Sequence, residues 1–147
     1  MIKVYTDGSS LGNPGNGGWA FLVVRENKIS YRSGFEKNTT NNRMELLAAI
    51  KALEFLNDCI KFSIITDSKY LKLGITTWIF NWKKNNWKTS TKQPVKNKDL
   101  WERLDNLSSR KNINWNWVKA HNTSELNNQV DELARKAAET LTESTFN

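Results

Sequence analysis

Cysteine and histidine are nearly missing from this chain of 147 residues, each occurring once, as Cys59 and His121. One cysteine excludes an internal disulfide, and one Cys with one His cannot supply the ligands of a zinc site. A reducing compartment follows, and the cytoplasm is the expected location. No apolar run approaches the ~20 residues that a membrane helix needs. No charged start with an apolar core marks a signal peptide, so no membrane partner is expected. Acidic residues are absent from one long stretch. Between Ser68 and Lys98 there are eight lysines (Lys69, Lys72, Lys83, Lys84, Lys88, Lys92, Lys96 and Lys98) and no Asp or Glu.

What is present is an ordinary globular composition, 38% hydrophobic and 25% charged. The length suits one domain that can bury a core without covalent staples. Residues 1–142 are read as that domain, and the polar 143–147 as a frayed tail. The net charge is +7. Outside the lysine stretch the chain carries 14 basic and 15 acidic residues, so all the positive excess is local. A polyanion is the partner such a patch favours, although a solvated surface has the same composition.

Hydrophobic periodicity orders the elements. Ile2, Val4 and Thr6 alternate with Lys3, Tyr5 and Asp7 in a first strand. Gly8 to Gly18 holds five of the seven glycines and one of the two prolines, and reads as a tight loop. Trp19 to Arg25 and Ile29 to Phe35 form two strands about a turn at Asn27-Lys28. Leu46, Leu47, Ile50, Leu53 and Leu56 predict a helix that begins after the capping side chains of Thr39 to Asn42. A fourth strand covers Lys61 to Thr66. Asp67-Ser68 caps a helix that Gly74 is expected to end, and a short helix holds Trp78 and Trp82. Helices over Asp99 to Leu107 and Glu125 to Leu141 flank a fifth strand, Ile113 to Val118. This order predicts an α/β fold: a mixed five-stranded sheet, strands 1–3 antiparallel, strands 4 and 5 parallel to strand 1, with helices on both faces.

Four carboxylates occupy informative places in that scheme. Asp7 ends the first strand and Asp67 the fourth, which places both at carboxyl ends of parallel neighbours. Glu45 lies in the first turn of the first helix, and Asp131 in the last helix. Close carboxylates repel one another unless cations neutralise them. With soft ligands absent, the fitting cation is hard and bound by oxygen, Mg²⁺ before Mn²⁺. Taken singly, each residue also suits a turn, a cap or a solvated helix face. His121, in a polar loop ten residues before Asp131, suits either a structural role or proton transfer. Trp19, Trp101, Trp115 and Trp117 read as core. Trp78, Trp82 and Trp87, set among lysines, suit contact with a nucleic acid or a small satellite core.

Thr6-Asp7-Gly8-Ser9, Thr40 to Leu46 (TNNRMEL), Ile65-Thr66-Asp67-Ser68 and Asp131-Glu132-Leu133-Ala134 resemble, in order and spacing, the motifs of the type 1 ribonuclease H family. Trp78 to Trp87 with Pro94 to Trp101 looks like the basic protrusion of the bacterial form, and Trp117 to His121 like its histidine loop. The resemblance implies a ribonuclease H-like fold and hydrolysis of the RNA strand of RNA/DNA hybrids, leaving 5′-phosphate and 3′-hydroxyl ends. It implies that Asp7 bridges two Mg²⁺ ions in the substrate complex. One would be shared with Asp131, the other with Glu45 and Asp67, and Mn²⁺ would substitute. His121 would assist proton transfer or product departure.

Hybrid contacts are implied for Asn13, Thr40, Asn41, Asn42, Lys69, Trp78, Asn81, Trp82, Lys83, Lys84, Lys88, Asn97 and Asn127, in a monomeric enzyme. Ala120, Lys69, Asn128 and Asn38 stand where the family more often has glycine, glutamine, an acid and arginine. No separate hybrid-binding domain is expected before Met1, and the protrusion is expected to carry the added affinity. The competing readings are another nuclease on the same fold and an inactive hybrid-binding module.

Overall fold

The computed structural model describes residues 1–120 and 124–147. Its elements in chain order are β1 (Lys3–Ser10), β2 (Gly15–Arg25), β3 (Lys28–Thr39), α1 (Asn41–Phe55), β4 (Lys61–Thr66) and α2 (Lys69–Leu73). A π-helical turn (Gly74–Trp78) then leads into α3 (Ile79–Lys84), followed by α4 (Lys98–Ser108), β5 (Asn112–Trp117), α5 (Glu125–Thr140) and β6 (Ser144–Phe146). The strands form one sheet in the order β5-β4-β1-β2-β3-β6. β1, β2 and β3 are antiparallel neighbours, while β4 and β5 run parallel to β1.

Alternation along β2 divides the core between the two faces. Phe21 and Val23 join the larger cluster with Val4 and the α1 residues Leu46, Leu47, Ile50 and Leu53. Ala20 and Leu22 face the other way, onto Val130 and Ala134 of α5. The mixed α/β sheet with helices on both faces is as the order of elements predicts. α1 starts where Thr40 caps it, the hydroxyl accepting from the Arg43 N–H at 3.2 Å.

Four details depart from the sequence reading. The sheet has six strands rather than five, because the expected frayed tail contributes β6. Ser144–Phe146 pairs with Tyr31–Ser33, and the Phe146 ring stacks on Tyr31 at 5.4 Å. A polar segment with one aromatic shows too little periodicity to mark a strand that its partner creates. The hairpin turn is Glu26-Asn27, both left-handed (φ 51° and 66°), and Lys28 already pairs with Arg25. Two consecutive left-handed residues match the twist of the flanking strands.

The glycine-rich stretch is mostly strand, since Gly8 lies in β1 and Gly15, Gly17 and Gly18 in β2. None of the glycines has positive φ. Gly74 does not end α2. Its backbone is right-handed helical, and a Cβ there would lie 1.9 Å from the Trp101 ring. Glycine is needed for room to pack, and the helical path runs on to Lys84.

Candidate active site

The carboxylate cluster is built by two strands and two helices. β1 and β4 pair in parallel, with Tyr5 opposite Ile65, so Asp7 and Asp67 emerge side by side at the carboxyl end. Ligand sites favour such strand ends. Gly8 brings the third residue close. A Cβ there would meet the Glu45 backbone nitrogen at 2.3 Å, so its absence lets the start of α1 touch β1. Gly18 does the same for α5, where a Cβ would lie 2.1 Å from the Ala134 carbonyl oxygen. Two glycines that look like loop residues therefore set how closely Glu45 and Asp131 approach the sheet.

Asp7, Glu45 and Asp67 each present a ligand oxygen, all within 4.8 Å of one another. Asp131 is close enough to Asp7 to help raise its pKa. It lines one cavity with Asp7, Asp67, Lys119 and Asn127. Arg135, one turn further along α5, lies 3.7 Å from the Asp131 carboxylate.

Burial and mutual repulsion make this cluster resist ionisation. Asp7 is buried, and its pKa is pushed up to about 9, first by loss of water and then by the charges of Asp67 and Asp131. Glu45 is raised well above the carboxylate range by burial and by Asp7 and Asp67. Asp67 is raised, chiefly by burial. Glu45 Oε1 is buried with no hydrogen-bond partner. An unsatisfied carboxylate oxygen facing two further carboxylates is what a hard divalent cation would complete, so the residues present fit Mg²⁺ or Mn²⁺.

The other predicted residues lie around this centre. Asn13 Oδ1 accepts the Asn41 backbone N–H at 2.9 Å, joining the β1–β2 loop to the start of α1, where exposed Asn42 follows. Asn97 is left-handed (φ 62°) and makes a junction that sequence reasoning missed. Its Oδ1 accepts from Arg43 at 3.3 Å, and its Nδ2 donates to the Tyr70 hydroxyl at 3.0 Å. Tyr70 also accepts from the Trp101 indole at 3.1 Å. Arg43 forks onto Asp99 through bonds of 3.0 and 2.7 Å, which holds the Asp99 carboxyl below its usual range. Nothing in the spacing of Arg43, Tyr70, Asn97 and Asp99 shows that they meet.

Within the lysine stretch, Trp78, Trp82 and Trp87 are half-buried and joined ring to ring. Trp78 lies 5.9 Å from Trp82, which lies 6.3 Å from Trp87 and 5.3 Å from the fully buried Trp101. Asn81, Lys84 and Lys88 are exposed around this spine, whereas Lys83 reaches Asp105 at 3.2 Å. Trp117, read as core, is instead 38% exposed, and Lys69 lies over its ring. Asn127 is half-buried in the wall of the carboxylate cavity. His121 lies outside the described residues.

A mixed sheet with an oxygen-only carboxylate cluster at the ends of adjacent parallel strands defines an α/β protein suited to hard divalent cations. The RNase H family model matches residues 1–139. The ribonuclease H of Francisella philomiragia subsp. philomiragia is 52% identical over 141 residues, spanning 96% of this chain and 93% of that relative. The ribonuclease H of a Ruegeria species is 54% identical over 142 residues, spanning 91% of this chain and 88% of that protein. The crystal structure of a type 1 RNase H with the type 2 active-site motif superposes with a TM-score of 0.87 at 29% identity. That match covers 99% of this chain and 76% of the other. The chain belongs to the RNase H family.

Proposed function

We infer that this protein is a ribonuclease H, an endonuclease that hydrolyses the RNA strand of RNA/DNA hybrids to 5′-phosphate and 3′-hydroxyl ends. The observation that carries the reading is the convergence of Asp7, Glu45 and Asp67 within 4.8 Å, in a chain matched to the family over 139 residues. Asp7, Glu45, Asp67 and Asp131 would hold Mg²⁺, with Mn²⁺ as substitute. Asp7 groups with Glu45 and Asp67 within 4.8 Å and shares a cavity with Asp131, so it is suited to bridging two ions. Bound divalent ions supply charge stabilisation for the attacking and leaving oxygens of an in-line displacement at phosphorus.

The chain's own groups do the rest. Asp7 and Glu45 are buried, and Gly8 lets the start of α1 sit directly against β1 to bring them together. Asn13, Asn41 and Asn42 border the cluster on the α1 side, suited to a minor groove that displays 2′-hydroxyls on one strand only. Thr40 and Asn97 are suited to a phosphate of the DNA strand. Lys69, Lys84, Lys88 and Asn81 extend the contact along the protrusion, and Trp78 and Trp82 hold that protrusion rigid behind them. Asn127 lies beside Asp131 at the cavity wall. His121 would carry a proton. The protein would act as a monomer in the cytoplasm. Among the described residues, no helix is long and apolar enough to cross a membrane.

Cleavage of end-labelled RNA/DNA, double-stranded RNA and double-stranded DNA, each with and without Mg²⁺, tests this reading. Mg²⁺-dependent cutting of the RNA strand of the hybrid alone is expected. Equal cutting of a pure duplex would favour another nuclease. Hybrid binding without cutting in any divalent ion would favour an inactive binding module.

A further inference from the structure

Trp117 stands apart from the other tryptophans, because both of its chemically distinct parts are engaged at the edge of the carboxylate cluster. It is the last residue of β5 and pairs with Thr66 of β4. The Val118 N–H donates to the Thr66 carbonyl at 2.9 Å. The following carbonyl, that of Asp67, lies beyond β4, and it accepts the Trp117 indole N–H at 2.9 Å. The indole thus continues the hydrogen bonding one residue past the end of the strand. On its face the same ring carries the Lys69 ammonium, 4.8 Å from the centroid, within the ~6 Å reach of a cation–π contact.

We propose that Trp117 is a positioning residue with two separable outputs: its N–H fixes the Asp67 peptide and so the aim of the Asp67 carboxylate, and its ring presents the Lys69 ammonium to a substrate phosphate. The proposal rests on the ribonuclease H reading of the carboxylates. The first output follows from the position of Asp67. Its carboxylate presents a ligand oxygen within 4.8 Å of those of Asp7 and Glu45, and a peptide free to rotate would let it swing out of that cluster. The indole bond opposes that rotation. The second output follows from the nature of the partner. A carboxylate would neutralise Lys69, whereas an aromatic face orients the ammonium and leaves its charge available. Lys69 is itself exposed, which leaves that ammonium open to a duplex backbone.

Two substitutions separate the outputs. Trp117→Phe removes the N–H and keeps a ring for Lys69, while Lys69→Gln removes the cation and keeps the indole bond. Mg²⁺ binding to the substrate-free protein is measured by titration calorimetry, together with steady-state kinetics on a labelled hybrid across a salt series. Trp117→Phe is expected to weaken Mg²⁺ binding about 10-fold, the lower end of the ~10–100-fold loss when an outer-shell partner of a metal site is removed. The hybrid KM and its salt slope should stay near wild type at saturating Mg²⁺.

Lys69→Gln is expected to raise KM and to flatten the slope of log K against log salt by about 0.9, one phosphate contact, with Mg²⁺ affinity unchanged. Wild-type Mg²⁺ affinity in Trp117→Phe would overturn the first output, and an unchanged salt slope in Lys69→Gln the second. If Trp117→Phe lowers the urea midpoint, Trp117→His, which offers a ring N–H again, distinguishes a lost bond from lost packing. Recovery of Mg²⁺ affinity upholds the proposal, and no recovery overturns it. An Asp7→Asn protein that binds Mg²⁺ like wild type would overturn the ribonuclease reading itself, a result distinct from any of these.

Discussion

Both the carboxylate cluster and the basic protrusion concentrate charge of one sign, but the cluster buries it and the protrusion keeps it in water. Asp7 and Glu45 are almost fully buried and face Asp67, with pKa values raised by burial and by one another. The lysines surround a half-buried tryptophan spine, and Lys84 and Lys88 remain exposed. Repulsion between solvated lysines is screened and costs little, whereas like charges in a desolvated pocket cost folded stability until a cation arrives. Chemistry in the cluster therefore depends on position to within a fraction of an ångström. Binding by the protrusion depends mainly on how many charges it presents.

Removing one charge from the cluster should have the largest effect. Asp7→Asn is expected to abolish hybrid cleavage while the protein stays folded, because Asp7 lies within 4.8 Å of Glu45 and Asp67 and shares a cavity with Asp131. Without divalent ions its urea midpoint should rise near neutral pH, since the folded state no longer has to hold a proton on a carboxyl that ionises freely once unfolded. Normal cleavage by the folded variant would show that the cluster is not the catalytic centre.

The protrusion should be more sensitive to its aromatic interior than to any single lysine. Gly74→Ala would drive a methyl into the Trp101 ring, and overpacking of this kind typically costs ~1–3 kcal/mol. Urea unfolding followed by tryptophan fluorescence measures this. An unchanged midpoint would mean that α2 and α4 can separate freely, and that the spine is not rigid.

Charge on the surface of the protrusion should act on binding. Replacing Lys84 and Lys88 with alanine is expected to flatten the salt slope of hybrid binding by up to about 1.8, near 0.9 for each phosphate contact. KM should rise while kcat at saturation holds. Adding Lys83→Ala should contribute less, because Lys83 is already paired with Asp105. A salt slope that does not move would leave these lysines as a solvated surface.

The cluster should also show itself in pH dependence. An unfolded Asp titrates near ~3.9, whereas folded Asp7 titrates at about 9. The folded state holds this proton more tightly. Its contribution to stability is therefore complete below ~4 and lost as pH rises toward ~9. In EDTA, the urea midpoint should fall between about pH 5.5 and about pH 8.5, and saturating Mg²⁺ should remove the fall. In Asp7→Asn the fall should be smaller. A midpoint that rises over this range would mean that the carboxylates are not strained in the folded state.

The smallest effect is expected far from both regions. Phe146→Ala removes the stack on Tyr31 at the edge of β3, a contact worth ~0.5–1.5 kcal/mol, with the low end expected because Phe146 is 52% exposed. Denaturation should detect the loss, and activity should not change.

Periodicity and capping residues by themselves determined most elements of this protein, and alternation put Asp7 and Asp67 at the ends of adjacent parallel strands. Those signals are local, since a strand or helix writes its buried face into residues two, three or four positions apart. The motifs around Asp7, Glu45, Asp67 and Asp131 also carried the family, because ordered residue types survive without coordinates. Tertiary structure alone decided what depends on approach between distant segments. Gly8, Gly18 and Gly74 look like breakers, yet each sits in a strand or helix where a neighbour leaves no room for a Cβ. Trp117 has the pattern of a core residue, yet it lies exposed at the end of an edge strand, where its ring meets Lys69 and its N–H meets Asp67. The Arg43–Asn97–Tyr70 junction joins three helical regions whose spacing along the chain carries no trace of contact. β6 exists because β3 offers it an edge, and a three-residue strand is too short to announce itself before that partner is in place.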